Sequence, residues 1–138
     1  IMGKAGPVRK NLERYLSDSS DDFRAERPLR AMLMLGSAED EALIMRVLDA
    51  EKTTQAFVVK RALECLGLFG SKKSLMTIKK SFHRHGGYFA SAYIKNACIH
   101  AVERITRRHG YRGSIDATDM DTGFLPTLRS YVRFRFFY

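Results

Sequence analysis

The chain has 138 residues, 45% of them apolar and 28% charged, the balance of one ordinary globular domain rather than a disordered or fibrous chain. Its longest uninterrupted apolar run is Ala31–Leu35, far short of the roughly 20 residues a membrane-spanning helix needs, so no membrane span is expected. The net charge of +9 is lopsided: residues 1–57 hold nine Lys/Arg against ten Asp/Glu and residues 58–138 hold fifteen against five, an asymmetry that concerns partners more than fold.

No charged-then-apolar leader opens the sequence, and Ile1 followed by Met2 reads as a cloning scar or as the start of an excised fragment. Residues 8–16 follow a Gly/Pro-containing lead, and Val8, Leu12, Tyr15 and Leu16 share one helical face, which predicts a short amphipathic capping helix. Asp21 and Asp22 suit the start of the next helix electrostatically. Pro28 must then either kink that helix or restart it from a first-turn position.

From Leu29 an internal similarity emerges. Leu29–Gly36 lies against Lys60–Gly67 at an offset of 31, sharing Arg-Ala and a terminal Leu-Gly. Ser37-Ala38-Glu39-Asp40 is a helix-start signature ahead of Ile44, Val47 and Leu48. In the central stretch, Val59, Ala62, Leu63 and Leu66 make an apolar stripe, and Gly67 is expected to end the helix. Ser71 is the expected N-cap of the following helix, which lines up Leu75, Ile78 and Phe82. A turn is expected over His83–Gly87. The next helix runs through Ile94, Ala97, Cys98, Ala101, Val102 and Ile105, with Ala97 lying 35 beyond Ala62. Leu125–Tyr131 then lies against Leu75–Ser81, after a polar stretch. The final Tyr131–Tyr138 alternates with period two, but a lone strand lacks a ladder partner, so a helix with a frayed end is preferred. Cys65 and Cys98 both fall on apolar stripes, which predicts buried free thiols and a reducing, cytoplasmic setting.

Hairpins with Ala-Leu cores, a terminal Leu-Gly and a following Leu-x-x-Ile resemble HEAT repeats, most of all the short bacterial form of phycobilisome-lyase-like proteins. That form reads Val-Arg-x-x-Ala-Ala-x-Ala-Leu-Gly-x-Leu-Gly-Asp, then Ala-Val-Pro-x-Leu. Val58–Gly70 is similar to the first part and Leu125-Pro126-Thr127-Leu128 to the second, and the likeness extends roughly over 28–135. Val59 stands where the pattern has Arg, Gly70-Ser71 where it has Gly-Asp, and the third unit lacks its Leu-Gly. The resemblance implies an all-α, right-handed α-solenoid of about three helical hairpins with an N-terminal capping helix, its second helices lining a concave surface. One repeat domain over 1–138 is expected: a lead and cap in 1–20, units in 21–52, 53–87 and 88–138, and a loop over 107–123. It implies no lyase chemistry, since no catalytic motif maps onto this chain.

Charge supplies the candidate site. Lys72, Lys73, Lys79 and Lys80 fall on one strip of a helix, because positions seven apart nearly superpose at about 100° per residue, and His83 projects from it. Lys60, Arg84, Lys95, Arg104, Arg107, Arg108 and Arg112 extend the basic region, which only Glu64 and Glu103 oppose between 58 and 112. A lysine run is often just a solvated helix face. Unopposed clustering at this density exceeds what solubility needs, which favours a surface for an acidic protein partner or, as the second reading, for nucleic-acid phosphates with little base specificity. The 107–123 loop carries Asp119-x-Asp121-x-Gly123, which lacks the bidentate glutamate and spacing of a calcium loop. His83-x-His85 with Cys98 or His100 lacks the paired spacing of a zinc site. No nucleophile–base order, phosphate-cradling loop or carboxylate pair stands out, so a non-enzymatic module with no metal and no cofactor is expected.

Overall fold

A computed structural model describes residues 4–18, 23–85 and 91–109. These form six helices and no strand: α1 (Gly6–Ser17), α2 (Phe23–Leu35), α3 (Glu41–Asp49), α4 (Ala56–Phe69), α5 (Lys72–His85) and α6 (Ser91–His109). The all-α expectation therefore holds for the described residues. The segment 125–131, the aromatic end and most of the 107–123 loop, Arg112 included, lie outside them.

Helix α1 starts with Pro7 in its first turn, where the missing N–H costs nothing, and buries Leu12 and Tyr15 while Val8 and Leu16 pack at the edge. Tyr15 fixes it in place: its hydroxyl meets Thr53 Oγ1 at 2.7 Å, both groups buried. Helix α2 runs through Pro28 rather than restarting there. Between α2 and α3 a single 3₁₀ turn, Ala38–Asp40, is tied by the Ser37 N–H, which donates to the Asp40 carboxylate at 2.9 Å. That carboxylate is almost fully buried and pairs with Arg9 Nε at 2.6 Å, joining α1 to the start of α3.

Packing follows a simple order. Helices α2, α4 and α6 contact one another in sequence, α1, α3 and α5 do the same, and α1 meets α2, α3 meets α4, and α5 meets both α4 and α6. The interior is one apolar cluster that takes Leu29 and Met32 from α2, Leu63 and Leu66 from α4, Ile78 from α5 and Ile105 from α6. Layering helix on helix buries the apolar stripe that each amphipathic helix would otherwise expose.

Three boundaries differ from the sequence expectation. Gly67 does not end α4. The helix continues to Phe69 and Gly70 follows it, its N–H donating to Leu66 O at 2.7 Å. Gly67 instead lies at the crossing with α6, where a Cβ would sit 3.2 Å from Ala101 Cα. Helix α5 runs on through His85 and α6 through His109, so His83, Arg84, Arg107 and Arg108 are helical rather than loop residues.

The offset of 31 is also replaced. At 31, buried Leu29 would face half-exposed Lys60, and exposed Met34 would face buried Cys65. At 34, Ala25, Leu29 and Met32 match Val59, Leu63 and Leu66, and Ile44 and Leu48 match Ile78 and Phe82, all of them buried, and Gly36-Ser37 matches Gly70-Ser71. The offset of 35 to α6 keeps its burial, since Val59, Ala62, Leu63 and Leu66 match Ile94, Ala97, Cys98 and Ala101.

Candidate functional site

Helix α5 is anchored at its N-terminus. Ser71 Oγ accepts the Lys73 N–H at 3.3 Å, the N-cap arrangement. Beneath it the Glu41 carboxylate of α3 accepts from the Ser71 N–H at 2.5 Å, the Ser71 hydroxyl at 2.9 Å and the Ser74 hydroxyl at 2.5 Å. Partial burial pushes the Glu41 pKa up, but these hydrogen bonds and the nearby Lys73 charge outweigh it, so the net shift is downward. An anion at the positive end of the helix dipole is where electrostatics wants one.

With its N-terminus held and Leu75, Ile78 and Phe82 turned inward, α5 has one orientation open to it. Lys72, Lys73 and Lys80 are exposed, Lys79 is half-buried, and Met76 keeps 45% of its surface accessible between them. Helix α5 contains no acidic residue. Several cations elsewhere are matched: Arg9 with Asp40, Arg30 with Glu26 at 2.5 Å, Lys60 with Glu64 at 3.6 Å, and Arg61 with Glu64 at 3.1 Å. Lys79 and Lys80 form no ion pair among the described residues, and Lys73 has only Glu41 nearby, a carboxylate already committed to Ser71 and Ser74.

The other expected residues are placed in different ways. Arg84 closes the C-terminus of α3, donating to Asp49 O at 3.3 Å, Ala50 O at 3.2 Å and Glu51 O at 2.8 Å. Arg108 does the same for α4, donating to Gly67 O at 2.8 Å and Gly70 O at 2.5 Å. Lys52 caps α1 through Tyr15 O and Asp18 O. Each places a cation on the orphan carbonyls at the negative end of a helix. Lys60 and Arg104 instead line a groove of about 530 Å³ between α4 and α6, with Lys60 Nζ 4.6 Å from the Tyr93 ring centre. Lys95 lies over the Phe82 ring at 5.6 Å, and Arg107 is exposed. The lysine strip with His83 stands on α5, and Lys60 and Arg104 face the α4–α6 groove.

Sequence reasoning overlooked Met76 and the capping roles of Arg84 and Arg108. No local pattern marks the caps, since the carbonyls that Arg84 and Arg108 meet lie 33 to 41 residues away along the chain.

Among the described residues no three His, Cys, Asp or Glu side chains gather where they could hold a metal ion. Cys98 is buried with its thiol toward Ile78 O, whereas His100 is exposed on the groove side of α6. Burial pushes both thiols, Cys65 and Cys98, up to about 12. No helix among the described residues is long and apolar enough to cross a membrane. No protein-family model matches the chain, and neither a curated protein nor a solved structure does.

Proposed function

We propose that this chain is a non-enzymatic helical-repeat binding module of HEAT-like architecture, a right-handed α-solenoid that docks an acidic protein segment on the exposed face of α5. Equivalent burial 34 residues apart, from Ala25 and Val59 to Leu48 and Phe82, supports the repeat reading. The observation that carries the docking reading is the lysine strip itself, four cations on one helix that contains no acidic residue, with Lys79 and Lys80 in no ion pair among the described residues. Like charges gathered on one structured face raise encounter rates with an anionic partner and reject a cationic one.

The test is binding of a labelled 20-residue polyglutamate peptide and of a 20-base-pair DNA duplex, at low salt, to the native chain and to a variant with Lys72, Lys73, Lys79 and Lys80 all changed to Glu. Peptide binding that is lost in the variant is the expected result. Binding of the duplex alone, with affinity falling steeply as salt rises, replaces the protein partner with nucleic acid. Peptide binding unchanged by the charge reversal, or no binding of either probe, overturns the reading.

A further inference from the structure

The face of α5 is more specific than a patch of charge. Three pairs of positions seven apart run along it: Lys72 with Lys79, Lys73 with Lys80, and Met76 with His83. At about 100° per residue the two lysine columns stand roughly 100° apart, and the Met76–His83 column lies between them. Seven residues of helix rise about 10.5 Å, so two lysine pairs bracket Met76, one on each side at about one turn. The central position is apolar and 45% exposed, although Leu75 and Ile78 nearby are buried. An apolar centre flanked by like charges is the layout by which one helix recognises another, with an apolar seam and charged flanks choosing the partner.

From this we infer that the segment docked on α5 is itself a helix, carrying an apolar side chain that seats on Met76 between two pairs of carboxylates about two turns apart. The inference rests on the docking reading above. An extended peptide fits poorly, because neighbouring side chains of a strand point to opposite faces and an adjacent acid pair could not reach both lysine columns. A phosphate backbone would satisfy the lysines yet leave Met76 facing charge. Charge complementarity therefore sets the flanks of the partner, and Met76 sets its centre. The pattern of acid pair, apolar residue, acid pair reads the same in both directions, so either helix orientation meets it.

The test uses three 18-residue helical peptides of equal charge. The matched peptide has glutamates at its fifth, sixth, twelfth and thirteenth positions and leucine at its ninth. The second replaces that leucine with serine, and the third keeps the composition but moves the glutamates out of register. The matched peptide is expected to bind the full chain about tenfold more tightly than either control. Met76→Ser, at a half-exposed position, is expected to abolish that advantage while leaving the serine peptide's affinity unchanged. Equal binding of all three peptides, still lost on reversing the four lysines, overturns the helix-and-anchor inference and leaves the acidic-docking reading standing. Binding of none of them, together with failure of polyglutamate, removes both.

Discussion

Glu41 joins two helices through a single carboxylate, and its chemistry makes it sensitive to pH. Its folded pKa lies below the ordinary value of 4.5 because Ser74 and Ser71 donate to the ionised form more strongly than burial opposes it. A lowered folded pKa means a contribution to stability that is complete above 4.5 and is lost as pH falls through the folded value. Glu41→Gln keeps the shape but not the charge-assisted bonds, each of the kind worth about 1.5–3 kcal/mol where a charge is involved. Partial exposure discounts this, so a loss of about 1–2 kcal/mol is expected near neutrality. Urea titrations across pH should show the gap between native and variant closing below pH 4.5. A gap that stays constant down to acid would mean that Glu41 acts by packing alone. The two thiols give a second expectation at this scale. With both buried and pushed up to about 12, neither Cys65 nor Cys98 should react with a disulfide reagent at pH 8 until denaturant is added. Fast reaction of one thiol in the folded chain would show that its helix opens locally.

At the scale of elements, Gly67 decides how closely α4 and α6 approach. A helix-interior glycine is normally a cost, and Gly→Ala gains up to about 1 kcal/mol of helix propensity. Here the added Cβ would lie 3.2 Å from Ala101 Cα, which is backbone and cannot turn aside, and overpacking of this kind costs about 1–3 kcal/mol. Steric cost wins, so Gly67→Ala should destabilise by about 1 kcal/mol or less and Gly67→Leu by about 3 kcal/mol. Chemical denaturation of the two variants checks this, and a stabilised Gly67→Ala would mean that α6 can shift without loss. The same glycine shows what could be read from sequence. Apolar periodicity located five of the six described helices, because a stripe such as Val59–Ala62–Leu63–Leu66 must be buried whichever neighbour buries it, while α2 was expected from its acidic start and the similarity from Leu29. It could not distinguish a glycine that ends a helix from one that admits another helix, because both remove a Cβ beside an apolar stripe and only the position of α6 separates them. The similarity at 31 failed for a related reason: Arg-Ala and Leu-Gly match as letters, but burial aligns Gly36-Ser37 with Gly70-Ser71. Exposure of the lysine strip followed from spacing alone. The capping duties of Arg84 and Arg108 depend on which helix ends lie beside them, which no local spacing records.

Across the whole molecule, charge placement on α5 runs against what the fold would choose for itself. The helix begins Lys72-Lys73, two cations at the positive end of its dipole, where an acid is favoured by about 0.3–1 kcal/mol. Glu41 compensates from α3, and Lys73 in turn lies close enough to lower its pKa. Lys72 is therefore the residue at which stability and binding can be separated. Lys72→Glu places an anion in the first turn, which the dipole favours by about 0.3–1 kcal/mol, but close to the like charge of Glu41, so little net change in unfolding stability is expected at low salt. The same change removes one cation from a docking column and adds a repulsive charge, so affinity for the matched acidic peptide should fall several-fold. Unchanged urea denaturation with weakened peptide binding on one variant would show that Lys72 serves the docking face. Lower stability with unchanged peptide affinity would show the reverse, that Lys72 serves the fold.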